Sequence, residues 1–205
     1  MLDVNLLQKM LLAAAEELKA QSSYLCELDS VAGDGDHGLT IGRMADVMKA
    51  RIEAGSSADM KELLDDLGMD FMGINGGSAG PLWGTVFGGL AEGIEEGAVR
   101  LDRDSFKRML AQARENFADI SKAKQGDKTM VDALYPALAA GMAAEGSLKD
   151  VMTAMAQAAT AGAEATAQMV ARFGRAKNIG ERSLGAKDPG AVSIALLFNA
   201  MAQSL

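Results

Sequence analysis

Apolar residues recur at helical spacing along almost the whole of this 205-residue chain, and this pattern constrains the fold more than any other feature. In the segment after Asp3, for example, Leu7, Met10, Leu11 and Leu18 fall on one helical face. No segment alternates convincingly between apolar and polar residues, as a half-buried strand would. Alanine and methionine favour helices, whereas the strand-favouring aromatic residues make up only 4%. The sequence therefore predicts an all-α fold.

The helical segments number about eight and are joined by short connections. The predicted helices begin after Asp3 and then cover 37–54, 58–73 (opened by a capping box of Ser56 and Asp59), 81–98, Asp104 or Ser105 to 120, 129–144, 147–170 (capped by Ser147 with Asp150), and 191 to the C-terminus. This is the pattern of an antiparallel helix bundle. There is no internal repeat and no Pro/Ser-rich linker. Residues 1–205 are therefore expected to form a single domain.

The charge and the cysteine content indicate which partners and which cellular compartment to expect. A net charge of −8 and a pI of about 4.7 argue against a nucleic-acid partner, because phosphate contacts need a basic face. The single cysteine, Cys26, cannot form an internal disulfide, as is usual in a reducing compartment. The N-terminus lacks the features of a signal peptide, and no apolar stretch approaches the ~20 residues of a membrane span. We expect a cytoplasmic protein.

Four breaks between the helices are too rich in glycine and polar residues to be simple turns. They are DSVAGDGDHG (29–38), INGGSAGP (74–81), QGDKTM (125–130) and GRAKNIGERSLGAKDPG (174–190). Alternate loops of an antiparallel bundle lie at the same end. The first two breaks flank a pair of predicted helices and should therefore meet, which predicts a composite site at one end of the bundle.

The first break carries three aspartates, Asp29, Asp34 and Asp36, around two glycines. Carboxylate oxygens suit Mg²⁺ or Ca²⁺, and Gly33 and Gly35 let the backbone bend so that these acids converge. A solvated acidic turn in which Asp36 caps the next helix is the alternative interpretation. The spacing of the acids leaves both open.

Two familiar binding motifs match the first break only in part. An EF-hand beginning at Asp34 would have Gly38 at position 5 and Ala45 at position 12, where ligands are required. The glycines also spell GxGxxG, but no strand precedes them, and Asp34 and Asp36 would repel a pyrophosphate. These mismatches argue against both motifs.

The second break spells GxSxG around Ser78, the motif of a hydrolase nucleophile. That motif needs a preceding strand, whereas here a helix precedes Ser78 and Pro81 follows it. His37 is the one histidine that could serve as its base. A GxxxxGK[ST] loop does not occur in the sequence, which excludes a P-loop kinase. A hydrolase is therefore disfavoured.

Phosphate could instead be held by metal ions and by backbone amides. The glycine-rich segment 76–79 leads into a helix, and N–H groups at such a point can cradle phosphate oxygens. The stretch 172–187, which overlaps the fourth break, adds a cationic island opposed by one acid, Glu181. Its members are Arg172, Arg175, Lys177, Arg182 and Lys187. This island would either counter phosphate charge or simply be a solvated loop.

These four breaks together resemble the nucleotide-binding L subunit of dihydroxyacetone kinases. The resemblance lies in D-x4-GDGDHG (29–38), GGSAGPLWG (76–84), GDKTM (126–130) and GRA…GERSLG…DPGA (174–191). Their order and spacing match over nearly the whole chain. The resemblance implies an eight-helix antiparallel barrel with a nucleotide, ADP or ATP, bound at one end.

The resemblance also implies roles for individual residues, although it identifies no certain catalytic residue in this chain. Asp29, Asp34 and Asp36 match the acids that hold two Mg²⁺ bridging the nucleotide phosphates. The positions that match nucleotide contacts are His37, Gly38, Leu39, Thr40, Ser78, Ala79, Ser121, Met130, Arg175, Asp188, Pro189 and Gly190.

The partner implied by the resemblance is a K-type subunit that holds the ketose covalently on a histidine. Two functions remain open: a phosphotransferase subunit using ATP, and an ADP-retaining subunit that a phosphotransferase-system phosphocarrier recharges and that has regulatory contacts. A homodimer is a further expectation. This chain departs from the family at Gly35, at Asn178 and Ile179, and at Ala186. These departures leave the ketose open, including a four-carbon one.

Overall fold

The computed structural model describes residues 1–55, 57 and 59–205, and helices dominate it. The α-helices of this part are α1 (Val4–Ala20), α2 (Ser22–Ser30), α3 (His37–Glu53), α4 (Met60–Met72), α5 (Ala79–Glu92), α6 (Arg103–Ile120), α7 (Val131–Ala143), α8 (Leu148–Ala165) and α9 (Pro189–Gln203). Two 3₁₀ helices cover Thr166–Gln168 and Arg175–Ser183. Two short strands, β1 (Leu2–Asp3) and β2 (Arg100–Leu101), pair in antiparallel fashion. The predicted all-α fold is confirmed.

All the described helices except α2 form a closed ring. The helix α1 packs against α3, each later helix packs against the next, and α9 returns to α1. Neighbouring helices of the ring run in opposite directions. The ends at which α3, α5, α7 and α9 begin therefore lie together. The antiparallel barrel implied by the resemblance is confirmed.

Large apolar side chains fill the interior of the ring. Phe71, Trp83, Phe87 and Phe117 are among the largest fully buried side chains. The ring of Phe87 lies edge-on to Phe71 at 4.9 Å and stacks with Trp83 at 6.4 Å between centroids. None of the described helices has both the length and the apolar character that a bilayer crossing requires.

Side-chain caps fix where several helices begin. The predicted capping box of Ser147 and Asp150 is present at α8. Asp59 caps α4 by accepting from the Glu62 amide at 2.9 Å, whereas Ser56 lies outside the described residues. The predicted start of α6 at Asp104 or Ser105 is wrong. Asp102 is its cap and accepts from the Ser105 amide at 2.9 Å.

Two predicted helices end early. The helix α5 stops at Glu92 rather than at residue 98, and the Lys61 ammonium donates to the Ile94 carbonyl just beyond its end, at 3.0 Å. The helix α8 stops at Ala165 rather than at residue 170, where the Thr166 hydroxyl donates to the Ala163 carbonyl at 2.5 Å. The last helix begins two residues before the predicted Ala191, at a proline, which suits a first helical turn.

Candidate functional site

The first two glycine-rich breaks meet at one end of the ring, as predicted. A Cβ atom added to Gly76 would lie 2.1 Å from the Thr40 hydroxyl oxygen, so these segments are in direct contact. The Arg43 guanidinium also donates to the Asn75 carbonyl at 2.9 Å. These contacts bring the beginnings of α3 and α5 together.

The other two breaks join the same end. The Nε2 atom of His37, at the start of α3, lies 3.2 Å from the Ser193 hydroxyl in α9. A Cβ atom on Gly190 would lie 3.3 Å from the Cβ atom of Met130, which precedes α7. Four helix N-termini therefore face one region. Each carries partial positive charge in its first turn, which favours a bound anion.

The three aspartates of the first break converge in this region. One carboxylate oxygen from each of Asp29, Asp34 and Asp36 lies within 4.8 Å of the others. Asp29 was predicted in a loop but lies in the last turn of α2. Gly33 makes the tight turn possible, because a Cβ atom there would lie 2.3 Å from an Asp29 carboxylate oxygen. The arrangement offers hard oxygen ligands to a divalent cation.

Asp29, not Asp36, caps α3. Its Oδ2 atom accepts from the backbone N–H of Asp36 at 3.0 Å and of His37 at 3.3 Å. The Asp36 side chain makes no capping bond to the described backbone. The capping role that the alternative interpretation gave to the Asp36 side chain is therefore wrong. Asp29 ties the acidic cluster to the first turn of α3.

A cation already balances part of this negative charge. The Arg175 guanidinium forms an ion pair with the Asp34 carboxylate. This hydrogen bond lowers the pKa of Asp34. Desolvation, followed by the neighbouring Asp34, raises the pKa of Asp36. The two acids are thus held in different electrostatic environments.

Acids outside the island neutralise two members of the cationic island. Asp34 pairs with Arg175, and Glu164 pairs with Lys187 at 2.5 Å. Glu181, the one acid within the island, takes part in neither of these pairs. Lys177 and Arg182 are exposed.

The GDKTM segment is held by a buried carboxylate that sequence reasoning did not select. Asp132 is 3% exposed and accepts from the backbone N–H of Gly126 at 2.5 Å and of Thr129 at 2.8 Å. The available signal was an isolated acid in the apolar segment VDALYPALAAGM. Thr166, whose hydroxyl accepts from the Asp188 amide at 2.9 Å, had no comparable signal.

The remaining predicted residues occupy varied environments. Ser78 precedes α5 and Ala79 begins it, and no described side chain caps that first turn. Leu39 is exposed and Thr40 is buried. Ser121 ends α6 and begins the loop that leads to Met130.

Packing alone explains the glycine at position 38. A Cβ atom there would lie 1.8 Å from the Ser22 carbonyl oxygen, and the Ser22 hydroxyl donates to the Gly38 carbonyl at 2.6 Å. Gly38 therefore lets α2 and α3 approach closely. No nucleotide contact is needed to account for it.

The pKa values of His37 and Asp188 both differ from their usual values. Burial lowers the pKa of the His37 imidazole, and its described hydroxyl neighbour is Ser193 rather than Ser78. The Ser78 hydrolase is therefore not supported. Desolvation raises the pKa of Asp188 to about 7, while the carboxylate caps α9 by accepting from the Ala191 amide at 2.7 Å.

Several known proteins are similar to this chain in sequence. The DAK2 domain profile matches residues 31–203. The ADP-binding subunit DhaL of PEP-dependent dihydroxyacetone kinase 1 from Listeria innocua is 32% identical over 189 residues, which cover 92% of this chain and 90% of that protein. The L-erythrulose kinase of Pectobacterium atrosepticum is 34% identical over 198 residues, covering 94% of this chain and 33% of that protein.

A solved structure with bound ligands is also similar. It is the dihydroxyacetone kinase from C. freundii in complex with AMP-PNP and Mg²⁺, with a TM-score of 0.74 and 28% sequence identity. The match covers 97% of this chain and 33% of that chain. This chain thus spans nearly all of the Listeria subunit and about a third of the two longer kinases.

Proposed function

Since this chain belongs to the DAK2 domain family, we propose that it is the magnesium- and nucleotide-binding subunit of a small-ketose kinase. The observation that carries this proposal is the convergence of Asp29, Asp34 and Asp36 within 4.8 Å where four helices begin. A divalent cation would neutralise the acids, and the helix N-termini would favour phosphate. We treat residues 1–205 as one nucleotide-binding unit because its buried core extends from Leu2 to Ala202.

The residues present fit magnesium. Three carboxylates supply the hard oxygen ligands that Mg²⁺ prefers, and the raised pKa of Asp36 reflects desolvation and like-charge repulsion that a cation would relieve. We propose that Asp29, Asp34 and Asp36 hold two ions. When bound, magnesium neutralises charge that develops on a transferring phosphoryl group.

The surrounding residues are suited to the nucleotide, ADP or ATP. The uncapped first turn of α5, beginning at Ser78 and Ala79, would donate N–H groups to phosphate oxygens. Arg175 would add a planar cationic donor. Met130 and the adjacent Gly190 would form the apolar side that packs against the base.

The acceptor ketose would come from a K-type partner subunit. Dihydroxyacetone and erythrulose both occur in the names of similar proteins, so the proposed acceptor class is a three- or four-carbon ketose. The single cysteine agrees with a cytoplasmic setting for such a kinase. Recharging of retained ADP by a phosphocarrier is a second candidate, favoured by the PEP dependence of the similar Listeria kinase.

The decisive test of nucleotide binding replaces one acid. We expect Asp34→Asn to abolish magnesium-dependent ADP binding in a calorimetric titration while far-UV circular dichroism keeps its helical signal. Asp119→Asn, at an exposed position of α6, should bind like the wild type. Unchanged ADP affinity in Asp34→Asn would refute the proposal.

A turnover assay separates the two routes of recharging. The chain would be combined with a K-type subunit and a ketose, and supplied either with ATP or with PEP and the phosphocarrier proteins. Multiple turnovers with ATP alone would support exchange of the nucleotide. Turnover that requires the phosphocarrier would support retained ADP.

A further inference from the structure

Lys128 is a buried cation that forms no ion pair with a described carboxylate, although the charge of Asp188 acts on it. Its residue is 4% exposed, and none of the ion pairs formed by described residues includes it. Its ammonium instead donates to the backbone carbonyls of Met169 at 3.2 Å, Ser183 at 2.5 Å and Ala186 at 2.6 Å. These three bonds match the three N–H donors of a lysine. They satisfy a charge that would otherwise be costly to bury.

The backbone at Lys128 is also unusual. Its φ angle is +60°, and no other non-glycine residue of the described chain has a positive φ. A lysine there is strained, and such strain persists when the surroundings over-determine the conformation. Here Asp132 holds the amides on both sides, at Gly126 and Thr129. The left-handed turn directs the lysine side chain away from its own loop and onto the fourth break.

The carbonyls held by Lys128 frame the segment that carries Arg175. Residues 172–175 are exposed, so a hydrophobic core does not fix this stretch. Its ends are tied down by hydrogen bonds from the Ala171 amide to the Ser183 hydroxyl at 3.0 Å, and from the Gly185 amide to the Ala167 carbonyl at 2.8 Å. The ammonium of Lys128 lies at the junction of these ends.

We propose that Lys128 is a positioning residue for the nucleotide site. By donating to three backbone carbonyls of segment 169–186, its ammonium fixes the position of Arg175. It also fixes the backbone that leads to Asp188, the cap of α9. Lys128 thus couples the GDKTM segment to the phosphate-facing arginine without touching the nucleotide. This inference rests on the proposed function, because the arginine is taken to bind phosphate.

The test removes the ammonium without leaving backbone strain. Lys128→Gly deletes the side chain and adopts a positive φ readily. We expect the amides of Ala171 and Gly185 to exchange hydrogen at least about 10-fold faster in the nucleotide-free protein. We also expect MgADP affinity to fall about 10- to 100-fold, because a displaced Arg175 would lose its charged hydrogen bonds to the phosphate. Terbium luminescence should show that the acidic cluster still binds Tb³⁺, with an affinity that is not weakened and rises at most a few-fold, because a displaced Arg175 competes less for Asp34.

Chemical rescue separates positioning from general destabilisation. Butylammonium matches the deleted lysine side chain and should restore slow exchange and MgADP affinity to Lys128→Gly. Tetramethylammonium has no N–H to donate, so equal restoration by that ion would overturn the proposal. A second variant, Lys128→Met, fills the space without donors and should show the same fast exchange. Wild-type exchange in Lys128→Met would also overturn it.

A matched control and exchange measurements without nucleotide distinguish a failure of the proposed role of Lys128 from a failure of the proposed nucleotide-binding function. Lys122→Gly removes the same side chain from an exposed position of the same loop and should leave exchange in segment 169–186 unchanged. Exchange is measured without nucleotide, so it tests the role of Lys128 independently. Failure of the wild-type protein to bind MgADP would contradict the proposed function alone.

Discussion

Arg175 and Asp34 form an ion pair that joins the 3₁₀ helix at Arg175–Ser183 to the acidic loop. Both side chains are about half exposed, so solvent screens the pair. Asp34 is a proposed metal ligand and Arg175 a proposed phosphate ligand. The guanidinium therefore competes with a divalent cation for one carboxylate, which the two can share only through its different oxygens.

Replacing the arginine should change the affinities for metal and nucleotide in opposite directions. We expect Arg175→Gln to strengthen the binding of Mn²⁺ alone by a few-fold, because Asp34 is freed from an exposed ion pair. The same variant should bind MgADP more weakly, because a phosphate donor is lost. Calorimetry with Mn²⁺ alone and then with MgADP measures both effects.

A second arginine provides the comparison for this experiment. Arg182 lies in the same 3₁₀ helix and is exposed. Arg182→Gln removes an equal charge and should leave both affinities close to the wild-type values. If Arg175→Gln weakens Mn²⁺ binding, competition for Asp34 is ruled out.

The contact between α2 and α3 should not tolerate a single added methyl group. In Gly38→Ala the new Cβ atom would lie 1.8 Å from the Ser22 carbonyl oxygen and 2.8 Å from the Cys26 sulfur. The two helices must separate, so we expect a loss of about 1–3 kcal/mol in the free energy of unfolding. Urea unfolding followed by circular dichroism measures this loss.

Gly88 offers the matched control for that substitution. It lies within α5, and no described atom outside its immediate helix surroundings lies within 4 Å of an added Cβ atom. Gly88→Ala should raise the free energy of unfolding by about 0.5–1 kcal/mol, because alanine restricts the unfolded chain. Equal effects of the two substitutions would show that α2 and α3 are not in tight contact.

Helical periodicity predicted the helices of the ring because each of them buries a stripe of apolar side chains. The segment Ser22–Ser30 shows the limit of this signal. Leu25 is its one buried residue, so α2 has no stripe that a sequence pattern could reveal. This helix is held instead by the close approach of its first residue to Gly38. Backbone contact of this kind has no signature in hydrophobic spacing.

Only the part of the site that is formed by residues close in sequence could be predicted. Glycines close to the aspartates indicated that Asp29, Asp34 and Asp36 could converge, since the effect is local. The network around Lys128 joins it to carbonyls 41–58 residues away. Those partners are backbone atoms, which every residue has, so no residue type marks them. Sequence reasoning therefore found the acids and missed Lys128.

Stability should depend on pH through Asp188. Desolvation raises the pKa of its carboxyl from 3.8 to about 7 in the folded protein. The folded protein thus retains a proton that the unfolded chain releases. The contribution of this group to stability is fully present below pH 3.8, falls as the pH rises, and is lost above about 7. The full loss is on the order of 4 kcal/mol, since the shift is about three pKa units and one unit corresponds to about 1.4 kcal/mol.

The variant Asp188→Asn isolates this contribution, because asparagine also caps helices but does not titrate. Urea unfolding in the presence of EDTA would be measured for both proteins at about pH 4.5 and pH 7.5, which bracket most of the titration. The wild-type protein should lose more stability than Asp188→Asn over this interval, since the other acids contribute equally to both. Asp119→Asn, at an exposed position, should follow the wild-type curve. Parallel curves for the wild type and Asp188→Asn would show that Asp188 is already ionised in the folded protein near pH 4.5.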